Sequence, residues 1–240
     1  MNNNEILKNL ESLDFSFIGA CLSASNKYQL KYNDDKHVYY AVYLMDNELN
    51  DFTDKEHKIN IKYAMYVYDE CETLSDELYI VIGQNPSHSS RKNIDGTNQN
   101  IYKALLSNEI HRYLLLNTFP IINPDGANSQ DLLKVTENIH AAETIIQSLS
   151  KKNITIKIIY ACGSSLPVYA KFIDGLECLI GKYNISTYAF ADNNEIQTHL
   201  SMQALNSKKI KVNTLKLIRC KIRTMYTDEF KNVTFKKEDY

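Results

Sequence analysis

Amide, hydroxyl and imidazole side chains gather just after short apolar runs in this chain. The run Leu78 to Ile82 stops at Gly83-Gln84-Asn85-Pro86-Ser87-His88, and the run Tyr113 to Leu116 stops at Asn117. An asparagine amide both accepts and donates, so it can hold a water or pair with a polar edge. It cannot serve as a general base near neutral pH. A neutral histidine, such as the later His199, can donate to an oxygen on which charge develops, with a solvated loop histidine as the alternative. Gly83 permits a sharp turn, and Pro86 stiffens the loop that carries Asn85, Ser87 and His88. The plain alternative is an ordinary strand-to-loop exit.

Such groups need strands to hold them. Leu78 to Ile82, Tyr113 to Asn117, Ile154 to Ala161 and Ile185 to Phe190 are short apolar runs that read as buried strands. Helices are expected over Asn98 to Leu106, Gln130 to Ser150 and Pro167 to Ile180. Pro167 suits a first turn, and Asp131 and Glu137 early with Lys151 and Lys152 late suit the macrodipole. Alternating strands and helices predict an α/β three-layer sandwich with a central parallel four-stranded sheet. Ligand chemistry in such sheets collects beyond the carboxyl ends of the strands. Asn85, Asn117 and Gly163 are then expected at one rim.

Residues 1–72 read as an N-terminal antiparallel β section packed on a main domain of residues 73–240. It comprises a helix over Asn4 to Leu13 capped by Asn3 or Asn4, and a strand over Phe15 to Leu22. A hairpin of Tyr28 to Tyr32 and His37 to Met45 turns at Asn33-Asp34-Asp35, and a further strand covers Ile59 to Tyr68. Its tyrosines read as sheet residues, with base stacking as the alternative. Ala191 to Ser201 is expected to be a polar loop.

At 240 residues, 44% hydrophobic and 23% charged, the chain suits one sizeable α/β domain or one with a small appendage. No apolar run is long enough to span a bilayer and Met1 to Asn4 is no signal peptide, so a cytoplasmic protein without membrane contact is expected. The five cysteines are scattered, with no C-x-x-C pair or close His/Cys cluster, so no metal or cofactor is expected. A net charge of −2 means that a nucleic-acid partner would need a local basic patch. One candidate exists. Ile196 to Thr227 has no acidic residue and carries Lys208, Lys209, Lys211, Lys216, Arg219, Lys221 and Arg223, although a solvated strand face also explains such a run. Phosphate-loop and dinucleotide fingerprints are absent.

Gly83-Gln84-Asn85-Pro86-Ser87-His88 resembles the water-activating motif G-Q-D-P-Y-H of the uracil-DNA glycosylase superfamily, with Asn and Ser substituted. Leu114-Leu115-Leu116-Asn117-Thr118 is similar to that family's L-L-L-N strand, whose terminal Asn reads the base. His199-Leu200-Ser201-Met202 is similar to its H-P-S-P loop, which supplies a histidine to the base and a wedge to the duplex. Order and spacing agree across roughly residues 78–205 and leave residues 1–72 uncovered. Asn85-Pro86-Ser87, Asp95-Gly96-Thr97 and Leu116-Asn117-Thr118-Phe119-Pro120 also resemble a bacterial family of unknown function that shares the glycosylase fold.

The resemblance implies a monomeric DNA glycosylase that hydrolyses the N-glycosidic bond of a pyrimidine flipped out of DNA. Its catalytic groups would be Asn85 on the water, His199 on a base carbonyl oxygen, and Asp95 as a carboxylate replacing the one missing at Asn85. Asp95 or Thr97 as the N-cap of the next helix is the alternative. Gly83, Gln84, Ser87, His88, Asn98, Asn117 and Ser164 would face the substrate. Ser165 belongs with Ser164 to a small-residue loop at a helix start, where backbone N–H groups bind phosphate. Met202 (or Leu205) would wedge the duplex, with core packing as the alternative, and Lys208, Lys209 and Lys211 would hold phosphates. Asn85 implies a slower or more substrate-dependent enzyme. Ser87 stands where a tyrosine fills the space beside C5 of uracil, so the pocket is expected to admit 5-substituted pyrimidines, including hypermodified bases of viral DNA. That would make the protein defensive. The competing readings are a catalytically idle relative that binds nucleic acid, and a hydrolase or transferase of free nucleosides or nucleotides. Cys162 is not expected to be a nucleophile, because no general base is recognisable near it.

Overall fold

The computed structural model describes residues 1–30, 38–46, 62–70, 75–84, 96–120, 132–163, 167–193, 195–197, 200–226 and 231–237. The chain is mixed α/β, with a multi-strand sheet that contains both parallel and antiparallel strands. It begins with α1 (Asn3–Glu11), β1 (Ala20–Leu30), β2 (Tyr39–Asp46), β3 (Lys62–Asp69) and β4 (Glu77–Gly83). Then come α2 (Gly96–Leu106), β5 (Arg112–Asn117), α3 (Leu132–Ser150), β6 (Thr155–Tyr160), α4 (Pro167–Tyr183) and β7 (Ser186–Asp192). β8 (Glu195–Gln197), α5 (Met202–Ser207), β9 (Lys216–Tyr226) and β10 (Lys231–Lys237) complete it.

The strand order is β1-β2-β3-β5-β4-β6-β7-β9-β10, with β8 paired to β7. Parallel ladders join β4 to β5, β4 to β6 and β6 to β7. The first three strands pair antiparallel, and β3 pairs antiparallel with β5 from Ala64↔Leu116 to Tyr68↔Arg112. They therefore extend the same sheet. On the other side β9 runs antiparallel to both β7 and β10, so it starts at the carboxyl end of β7 and runs back toward its amino end.

Strand alternation divides the core. Leu78, Ile80 and Ile82 of β4 pack in one cluster with α1, α3 and α4, while Val81 packs in another with α2, Leu200, Leu205 and Leu215. Ile80, Val81 and Ile82 have no accessible surface, and each such burial stabilises the fold by about 1.5–3 kcal/mol. β3 is buried along its whole length, and Tyr39, Tyr43, Tyr63, Tyr66 and Tyr68 are core residues.

Three local expectations need correction. The strand expected over Phe15 to Leu22 starts only at Ala20 and runs on without a break to Leu30, because Ser16–Ile18 forms a 3-10 turn closed by Gly19 at φ +63°. The N-cap of α1 is Asn2, not Asn3 or Asn4: its Oδ1 accepts from Glu5 N–H at 2.9 Å, and its own N–H donates to Glu5 Oε2 at 2.8 Å, a reciprocal capping box. Asn3 is needed elsewhere. Its buried amide donates to the Asp69 carbonyl and accepts from the Tyr66 hydroxyl, tying α1 to β3. Ala191 to Ser201 is also not simply a loop, because β7 continues to Asp192 and turns back as β8. The turn residues Asn33, Asp34 and Asp35 lie outside the described residues, although β1 and β2 do pair antiparallel up to Leu30↔Tyr39.

Candidate functional site at the strand ends

Gly83 and Asn117 end neighbouring parallel strands and sit directly opposite one another in the ladder. Both ends are then locked. Thr118 N–H donates to the Gly83 carbonyl at 2.9 Å, and Phe119 N–H donates to the Gln84 carbonyl at 3.2 Å. The Thr118 hydroxyl donates to the same Gln84 carbonyl at 2.6 Å. The backbone of Gln84 thus serves the turn that closes the two strand ends.

The Asn117 side chain lies across Gly83. A Cβ built on Gly83 would come within 2.7 Å of Asn117 Oδ1, so the absence of a side chain there makes room for the amide. Asn117 is only 5% exposed, and its main-chain carbonyl accepts from the Asn138 Nδ2 of α3. That leaves the Asn117 side-chain amide unengaged among the described residues. An amide both donates and accepts, so at the carboxyl end of a strand it is a group that can pair with a polar edge.

Of the supporting residues, Asn138 and Asn100 were not singled out by sequence reasoning, and Glu137 only for its place near a helix start. Asn138 is 1% exposed and lies at helical spacing between Val135 and Ala141. A polar residue inside an apolar stripe was the available signal. Beside it, Glu137 Oε2 accepts from the Tyr63 hydroxyl at 3.2 Å. Asn100 of α2, 3% exposed, donates to the Leu200 carbonyl at 2.8 Å. That bond fixes the residue following His199 against the helix that carries Asn98 in its first turn.

Of the other candidates, Asn85, Ser87, His88, Asp95, Ser164, Ser165 and His199 lie outside the described residues. Gly163, past the end of β6, has φ +78°, a left-handed conformation that favours glycine. Met202 opens α5, whose N-cap Ser201 accepts from Ala204 N–H at 3.1 Å. Leu205 is a correction: at 4% exposure it packs in the core with α2 and cannot wedge a duplex. Lys208, Lys209 and Lys211 are exposed, and Lys208 Nζ lies 3.4 Å from Glu195 Oε1 and 3.1 Å from Gln197 Oε1. Because β9 starts at the carboxyl end of β7, these lysines precede a strand that begins at the same end of the sheet as Asn117.

Burial pushes the Cys162 thiol up to about 12, so at neutral pH it is no nucleophile. Among the described residues no group of three or more His, Cys, Asp or Glu side chains could hold a metal, and no helix is long and apolar enough to cross a membrane. A cleft of about 500 Å³ lined by Met1, Glu5, Lys8, Asn9, Ser12 and Lys152 lies where the strands begin, away from Asn117. Comparisons with family models, curated proteins and solved structures find no match to this chain.

Proposed function

We propose that the protein is a DNA glycosylase that removes a modified or 5-substituted pyrimidine in preference to plain uracil. The supporting observation is the unengaged Asn117 amide, held over Gly83 at paired parallel strand tips. Together with the motif resemblance at residues 83–88, 114–118 and 199–202, it favours a site built to read a base edge. The fold belonging to this reading is a three-layer sandwich around a central parallel four-stranded sheet, acting as a monomer in the cytoplasm.

In the reaction the C1′–N bond breaks, the bonding electrons leave with the base, and a water oxygen bonds to C1′. One water proton ends on the base. Asn85 holds that water by hydrogen bonds and takes no proton, because an amide is not basic enough. Asn117 donates to and accepts from the base edge, and His199 donates to the carbonyl oxygen that gathers charge. Ser87 leaves room beside C5. Lys208, Lys209 and Lys211 hold phosphates of the flanking strand.

Duplex and single-stranded DNA carrying uracil or various 5-substituted pyrimidines is incubated with the protein, and abasic sites are read by alkaline cleavage. The expected result is faster release of a 5-substituted base than of uracil, lost in Asn117→Ala and Asn85→Ala. Uracil release at least as fast as that of every substituted base overturns the specificity. DNA binding with no abasic site on any substrate favours the idle relative, a reading consistent with asparagine rather than aspartate at position 85.

A further inference from the structure

The geometry points to Asn138 as the positioning residue of the strand-end site. By holding the main-chain carbonyl of Asn117, it keeps the Asn117 side chain over Gly83, in place for a base edge. The base as ligand rests on the glycosylase reading; the hold on Asn117 does not.

The peptide group joining Asn117 to Thr118 leaves the end of β5, and it is held at both ends. Its carbonyl accepts from Asn138 Nδ2, and its N–H donates to the Gly83 carbonyl at 2.9 Å. A planar group fixed at both ends cannot turn, so ψ of Asn117 is set and with it the direction of the Cα–Cβ bond. Direction matters because space is short. Asn117 Oδ1 lies 2.7 Å from where a Cβ on Gly83 would stand, and Leu115 Cδ1 lies 3.4 Å from the same point. Without the Asn138 donor the peptide is held at its N–H alone. The amide can then tilt away from Gly83 while the ladder from Tyr79↔Tyr113 to Ile82↔Leu116 stays closed.

Packing alone does not ask for asparagine at this position. Asn138 is 1% exposed and shares its stretch of α3 with the buried Val135, Ala141 and Ala142, so an apolar residue there would bury more apolar surface. A buried polar side chain serves a partner, and the partner here is Asn117. The same turn of α3 is seated on the neighbouring strand. Glu137 Oε2 accepts from the hydroxyl of Tyr63, near the end of β3 that lies beside the end of β5. Successive residues of one helix thus grip two strand tips. A grip that served stability alone would leave the direction of the Asn117 amide unchanged when the donor is lost.

The test joins a spectroscopic readout to an activity readout on the full chain. With the asparagines labelled with nitrogen-15, the side-chain NH2 signals of Asn117 are assigned by their absence in Asn117→Ala. Asn138→Leu, similar in shape but without a donor, should shift or broaden those signals. The signals of Asn3, at the other end of the sheet, should stay in place. Asn138→Ala, which adds no bulk, gives the same reading if the leucine variant does not fold. On DNA carrying a 5-substituted pyrimidine, turnover per folded molecule should fall at least about tenfold in either variant, since a small misplacement of a reacting group is costly. KM should stay within about twofold, because phosphate contacts hold the strand. Arg112→Met, weakened at the opposite end of the sheet, should keep its turnover per folded molecule within about twofold, because only contacts near the reacting centre set it. Unmoved Asn117 signals in a folded Asn138 variant overturn the proposal. So does turnover in that variant within about twofold of wild type, or an equal loss in Arg112→Met, which would make lost stability the cause. If the wild type releases no base from any DNA, the glycosylase reading falls and the Asn117 signals alone decide the hold.

Discussion

The spacing between Gly83 and Asn117 is the tightest constraint at the scale of single residues. Gly83→Ala would place a methyl group 2.7 Å from Asn117 Oδ1 and 3.4 Å from Leu115 Cδ1. Losing glycine gains about 0.4–1 kcal/mol through the unfolded chain, but overpacking costs about 1–3 kcal/mol, so the overlap prevails. Urea unfolding should show Gly83→Ala destabilised, and the cost should shrink in an Asn117→Ala background where the colliding oxygen is gone. Additive costs would mean that the two residues do not compete for the same space. Asn117 itself was legible as a candidate, because an asparagine ending an apolar run stands out. The role of Asn138 was not. Its partner is a main-chain carbonyl 21 positions away, and no local pattern encodes that pairing.

At the scale of elements, β4, β5, β6 and β7 were legible because their apolar runs are continuous and bounded by Gly, Asn or polar turns. The helices α3 and α4 were legible through periodicity and end charges. What escaped was long-range: the β3–β5 pairing joins residues 44 positions apart at Tyr68↔Arg112 and 52 positions apart at Ala64↔Leu116. β8 was missed because three residues are too few to show alternation. The contact of α3 with α4 offers a test of packing against propensity. A Cβ on Gly175 would lie 2.9 Å from Ile139 Cγ2 and 3.0 Å from Ile139 Cδ1. Alanine would improve helix propensity by about 0.8–1 kcal/mol, against an overpacking cost of about 1–3 kcal/mol on a β-branched neighbour that has few rotamers. Gly175→Ala should therefore lower the urea midpoint, and adding Ile139→Ala should recover part of the loss. A higher midpoint in Gly175→Ala alone would show that the helices separate freely.

At the scale of the whole molecule, one side chain gathers the starts of several elements. Arg112, 4% exposed at the first position of β5, donates from Nε and Nη2 to the Glu77 carbonyl at 3.3 and 3.0 Å. Its Nη1 donates to the Met1 carbonyl at 2.9 Å, and Nη2 also donates to the Ser75 carbonyl. The guanidinium fork thus holds the chain start and the approach to β4 against β5, at the end opposite Asn117. A hydrogen bond to a charged group contributes about 1.5–3 kcal/mol, offset in part by the cost of burying the charge. Arg112→Met should therefore destabilise the fold by about 3 kcal/mol, leaving carbonyls of Met1, Ser75 and Glu77 without their donor. Arg112→Lys should recover little, since one compact ammonium cannot reach carbonyls spread around a planar fork. Hydrogen exchange separates a local clamp from a global one. Amides near Glu77 should exchange faster in Arg112→Met than the lower stability alone explains, while Ile82 and Leu116, near the strand tips, should follow global unfolding. Equal acceleration along β4 would mean that Arg112 supports the whole sheet rather than its amino-terminal edge.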